Sequence, residues 1–168
     1  MRKGIVKKMV MAAGCVLVVV LASLAYSHCQ IPCGIYGDEA RFGMIAENIT
    51  TIEKSMKQIT ELSAEAKPNM NQIVRWVVNK EKHADDTSEI ITYYFMAQRV
   101  KPAEKSDTKA YEEYVRKLTV LHEMLVSCTK AKQTTELLHV EKLRSLLGEF
   151  HEAYFGKSSE EHEHEHKH

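Results

Sequence analysis

The chain has 168 residues, 44% of them hydrophobic and 27% charged, which suits one packed domain and argues against a disordered chain. Its 23 basic and 23 acidic residues cancel. That balance provides neither the basic footprint of a nucleic-acid binder nor the acidic surface that would attract a cationic partner.

Arg2, Lys3, Lys7 and Lys8 open the chain with positive charge, and an apolar run follows from Met9 to Ala25. Ala25 and Ser27 then stand three residues and one residue before His28. Small residues there complete the pattern of a secretory signal peptide over residues 1–27, cleaved before His28. A membrane anchor is the competing reading, because the run is near the minimum length that spans a bilayer. The small-residue ending favours cleavage. Ala13-Gly14-Cys15 makes a poor lipoprotein box, since apolar residues continue past the cysteine. Arg2-Lys3 also lacks the second arginine of a twin-arginine signal. The expectation is an exported protein, periplasmic or extracellular, with a lumenal compartment also open and no membrane attachment after cleavage.

Residues 28–36 read HCQIPCGIY. Cleavage before His28 would leave a free α-amine, the His28 imidazole, the Cys29 amide and the thiols of Cys29 and Cys33 close together. Pro32 and Gly34 can turn the chain back on itself. Amine, amide nitrogen and two thiolates can form a four-donor plane, which suits nickel or divalent copper, with the imidazole on its axis. Such a plane cannot assemble while residues 1–27 are attached. A Cys29–Cys33 disulfide is the ordinary alternative in an oxidising compartment. Structural zinc lacks four nearby side-chain ligands, and haem attachment would need CxxCH.

From Asp38 onward the periodicity is helical. Ile45, Ile49, Ile52, Met56, Ile59 and Leu62 form one apolar stripe, interrupted by Pro68 between Lys67 and Asn69. A second stretch carries Ile73, Val77, Ala84, Ile91 and Phe95 and ends before Pro102, where Ser106 and Asp107 are candidate N-caps. A third carries Tyr111, Tyr114, Val115, Leu118, Leu121, Leu125 and Cys128. Thr134 or Thr135 can cap a fourth, with Leu138, Leu143, Leu147, Phe150 and Tyr154, ended by Gly156. The third and fourth could instead be one bent helix. No run alternates with period two. The fold expected is all-α, an antiparallel four-helix bundle over residues 37–156 with an N-terminal metal-binding hook at 28–36. The end of the chain, KSSEEHEHEHKH (157–168), reads as a disordered, solvated His-rich tail with weak affinity for divalent metal.

The stretch His28-Cys29-Gln30-Ile31-Pro32-Cys33-Gly34-Ile35-Tyr36 closely resembles the nickel hook, HCxxPCGxY, of nickel superoxide dismutases. Ile49 to Met56 and Asn71 to Lys82 look like that family's first and second helices. The resemblance implies a hook lying across a four-helix bundle, bundles assembled as a homohexamer, and dismutation of superoxide to oxygen and hydrogen peroxide. It implies nickel held by the His28 amine and imidazole, the Cys29 amide and thiolate and the Cys33 thiolate. Tyr36 matches the tyrosine that limits anion access to the metal. Two departures stand out. Gln30 replaces an aspartate common in the family. The Glu and Arg that orient the axial imidazole are replaced by Ile45 or a neighbour and by His83, leaving Glu47 and His83 as candidate partners.

Other residues read as structural. His122 suits a core edge, and His139 and His151 suit exposed helix positions. Cys128 suits a buried small hydrophobe. Met44, Met56, Met96 and Met124 suit core filling, and Tyr93-Tyr94 resembles a segment that supports the hook. Two other functions stay open on the residues alone: an exported helical metal sensor or chaperone without turnover, and a structural protein with a Cys29–Cys33 disulfide.

Overall fold

The computed structural model describes residues 37–156; the segments 1–36 and 157–168, with the signal-peptide, hook and tail expectations, lie outside the described residues. Four helices follow in order: α1 (Asp38–Ser63), α2 (Met70–Glu89), α3 (Thr108–Gln133) and α4 (Leu138–Phe155). A π-helical segment, Ile90–Arg99, continues α2. Among the described residues there is no strand, and no helix is long and apolar enough to cross a membrane.

Cross-helix bonds fix the direction of each neighbour. Ser55 of α1 accepts from Asn79 of α2, and Asp38 accepts from Tyr94 further along. Glu53 pairs with Arg144 of α4 and Glu39 with His151, while Glu123 of α3 pairs with Lys142 and Glu149 with Arg116. Rising numbers on one helix meet falling numbers on the next, so the bundle is antiparallel throughout. The start of α1, the π segment, the start of α3 and the end of α4 share one end.

The α1 stripe is buried as its spacing predicts: Ile45, Ile49, Ile52 and Met56 are all at 1% exposure or less. Each such side chain contributes about 1.5–3 kcal/mol by leaving water. Pro68 lies beyond the end of α1, and Asn69 caps α2 by accepting from the Gln72 N–H at 3.3 Å. Asp107 caps α3 by accepting from the Ala110 N–H at 3.1 Å. Gly156 ends α4 at φ 86°, where a side chain would be strained.

Several expectations are corrected. Neither Thr134 nor Thr135 caps α4. Thr134 instead accepts from the Glu136 N–H in a turn, and Leu137 precedes the helix with no side-chain cap. That turn separates α3 from α4. Val115, Leu138 and Met44 point outward at 41%, 55% and 44% exposure, because the stripe that packs inward runs one position aside from each. His122 is exposed rather than at a core edge, and His139 is largely covered, with 13% of its side chain accessible beside Glu136.

The π segment was hidden inside an apparently regular helix. Its buried residues fall in pairs four apart, Ile90-Ile91 and Tyr94-Phe95. Positions four apart share a face in an α-helix as well as in a π-helix, so this burial pattern fits both helix types. The Val100 N–H closes on the Phe95 carbonyl at 2.8 Å, the five-residue spacing of a π-helix.

Candidate functional site

Gly37 is the only residue between Tyr36 and α1. Its φ of 75° and ψ of 153° lie in a region that is essentially restricted to glycine. Asp38 follows as the first residue of α1, and its carboxylate reaches other elements. The Tyr94 hydroxyl donates to Asp38 Oδ1 at 2.5 Å, and the Tyr154 hydroxyl donates to Oδ2 at 2.8 Å. Arg99 Nε lies 2.9 Å from Oδ1, and Arg99 Nη2 donates to the Tyr94 hydroxyl at 3.0 Å. The π segment and α4 therefore both grip the residue at which the chain enters the bundle.

Electrostatics reinforce the grip. Burial pushes the Asp38 carboxyl up, but the Tyr94 and Tyr154 hydroxyls and the Arg99 guanidinium outweigh it and hold it below the ordinary carboxylate range. Burial, with the carboxylate beside them, pushes both tyrosine hydroxyls up, so they remain donors at any ordinary pH. Arg41 and Arg99 both lie over the Tyr94 ring, at 5.1 and 4.9 Å from its centroid.

Aromatic packing stiffens the same end. Phe42 of α1 stacks on Phe150 of α4 at 5.2 Å and meets Phe95 edge-on at 4.9 Å. His151 stands edge-on to Phe42 at 4.9 Å, and its Nε2 lies 3.1 Å from both Glu39 carboxylate oxygens. His151 is thus a tie to the first turn of α1 rather than a solitary surface histidine.

His28, Cys29, Cys33 and Tyr36 lie outside the described residues. Covalent reach still bounds them. Cys33 is five residues from Asp38 and can stand no more than about 18 Å from it. Glu47, nine residues along α1 from Asp38, is about 14 Å away on a helix rise, so it falls within that reach. Glu47 is exposed. His83 Nδ1 lies 2.8 Å from Oδ1 of the buried Asn48, which makes it a tie between α1 and α2. Tyr93 and Tyr94 part company: Tyr93 is 44% exposed, and Tyr94 is fully buried in the clamp.

Among the described residues no group of three or more His, Cys, Asp or Glu could hold a metal ion. Cys128, the free cysteine there, is buried, and burial pushes its thiol up to about 11, so it stays protonated and offers no thiolate. The donor set of 28–36, with two thiols, an imidazole and ionisable backbone nitrogen, fits nickel. The residues whose role sequence reading missed are Asp38, read as a helix start, Tyr154, read as a core position, and Arg99, which no motif singled out.

Comparison with known proteins agrees with this donor chemistry. No curated protein and no solved structure matches the chain. The model of a family described as nickel-containing superoxide dismutase matches residues 23–158, which include the 28–36 stretch and all four helices.

Proposed function

Since the chain belongs to the nickel-containing superoxide dismutase family, we propose that it converts superoxide to oxygen and hydrogen peroxide at a nickel site built from residues 28–36. It is an oxidoreductase, which sets aside the sensor, chaperone and disulfide-bonded alternatives that the residues alone left open. The ligand set we assign is the His28 amine and imidazole, the Cys29 amide nitrogen and thiolate, and the Cys33 thiolate.

The observation that carries this assignment is the HCxxPCGxY stretch standing directly before a bundle whose described residues offer no competing donor cluster. Nickel held by these residues would supply the one-electron redox chemistry that dismutation needs. The balance is two superoxide ions and two protons to one oxygen and one hydrogen peroxide. Anionic thiolates and a deprotonated amide from Cys29 and Cys33 donate electron density and make the higher oxidation state accessible. The His28 imidazole would be a further donor to the nickel. Tyr36 limits access to small anions. Protons reach peroxide from solvent or from groups near the hook.

The same reading includes removal of residues 1–27 during export, which frees the His28 amine, and assembly into a homohexamer. The test is made on the protein beginning at His28. Elemental analysis should find about one nickel per chain, with superoxide dismutase activity that Cys29→Ser and Cys33→Ser each abolish. Zinc without nickel, or activity that survives both substitutions, would sink the assignment.

A further inference from the structure

We propose that Gly37 and the Asp38 clamp form a fixed elbow that sets the direction in which residues 28–36 leave the bundle, making Asp38 a positioning residue for the metal site. The inference rests on the nickel reading of residues 28–36 and says what aims them.

Two independent features meet at adjacent residues. The first is the Gly37 backbone, whose torsions only glycine adopts readily. A Cβ added at Gly37 would meet nothing within 4 Å, so glycine is required there for its torsion and not for space. The chain direction through residue 37 is thus a specific bend. The second feature is the clamp. Both carboxylate oxygens of Asp38 are held, by donors from the π segment and from α4. Helix capping does not account for this, because the carboxylate turns to other elements and α1 has no side-chain cap. Nor does the carboxylate belong to the hydrophobic core. The core of the bundle lies in the buried Ile, Leu, Met and Phe side chains, whereas the Asp38 side chain is 27% exposed.

What the clamp does fix is the stem of the hook. Tyr36 is two residues upstream and Cys33 five. A small rotation at the stem is carried outward along the chain, and misplacing a reactive group by an ångström can cost roughly a hundredfold in rate. The π segment is the element that makes the clamp possible. Its wider turn sets Arg99, five residues on from Tyr94, on the same side of the helix, so that both reach the Asp38 carboxylate. The ring Asp38–Tyr94–Arg99 closes on itself, and Tyr154 braces it from α4.

The experiment compares nickel-loaded wild-type enzyme with Asp38→Asn, Tyr154→Phe and Gly37→Ala. The readouts are nickel content, helical circular dichroism, kcat/KM for superoxide and the EPR spectrum of the oxidised enzyme. We expect wild-type nickel content and helicity in all three. In each, kcat/KM should fall roughly ten- to a hundredfold, with a changed EPR spectrum. Tyr154→Phe removes one hydroxyl and keeps the ring, so it decides the matter if Asp38→Asn fails to fold. Unchanged turnover and spectrum in folded, nickel-loaded Tyr154→Phe and Gly37→Ala would overturn the elbow and leave the nickel reading standing. Wild-type enzyme that binds no nickel would overturn both.

Discussion

Lys80 donates from its ammonium to the main-chain carbonyl of Thr134 at 2.8 Å, and also to that of Lys132 at 2.7 Å, while only 4% exposed. A charge on α2 thus satisfies carbonyls at the end of α3 that have no helical partner. Burial pushes the Lys80 ammonium below its ordinary range, with Glu81 opposing. The side chain fastens α2 to the α3–α4 turn, at the end of the bundle opposite the start of α1. Lys80→Met keeps the apolar stem and removes the donors. We expect it to lower stability by about 2 kcal/mol in urea unfolding while dismutase activity per bound nickel stays unchanged. Full stability in the variant would show that water replaces the ammonium without loss.

The aromatic cluster makes a second prediction. Phe150 is fully buried and contacts Phe42, Phe95 and Tyr154 within 5.6 Å between ring centroids. Phe150→Ala should cost about 3–5 kcal/mol through lost burial and a residual cavity. Because Phe42 and Tyr154 flank the α1 entry, the same variant should lower activity at temperatures where it remains folded. Denaturant unfolding and an activity assay at low temperature separate the two effects.

Asp38 gives a prediction in pH. Its folded-state carboxyl lies below the ordinary value, so its contribution to stability is complete above the unfolded pKa of about 3.9 and is lost as pH falls through the lower folded value. Wild-type thermal midpoints should therefore drop more steeply below about pH 4 than those of Asp38→Asn. Parallel profiles for the two proteins would show that the carboxylate is not held as described.

Cys128 predicts a chemical outcome. Burial raises its thiol to about 11, so at pH 8 it should not react with a thiol reagent in the folded protein. In a chain beginning at His28 and carrying Cys29→Ser and Cys33→Ser, reagent should label no thiol until denaturant is added, then one. Rapid labelling without denaturant would place Cys128 at the surface.

Much of this was legible in the sequence for local reasons. The apolar stripe of α1, the Asp107 cap and the Gly156 stop each depend on a few neighbouring residues, and each stands in the structure as read. The hook motif was legible for the same reason, being nine contiguous residues. The clamp was not. Tyr94 and Tyr154 meet Asp38 across 56 and 116 residues of sequence, and no spacing rule connects them. The π segment escaped because its buried pairs, Ile90-Ile91 and Tyr94-Phe95, stand four apart and fit an α stripe equally well; the wider turn shows in the five-residue bond from the Val100 N–H to the Phe95 carbonyl, which leaves no mark on the apolar pattern. Threonines at 134 and 135 looked like caps because their type is right, but the Thr134 hydroxyl closes a turn one step earlier.

We propose that a free amine on His28 completes the nickel site, and two forms of the protein that differ by one residue test this. The protein is prepared in two forms, one beginning at His28 and one with a single alanine before it, and each is assayed for superoxide dismutase activity at matched nickel content. We expect full activity in the first and loss of nearly all of it in the second, because the added residue converts the amine to an amide. Equal activity in the two forms would contradict it.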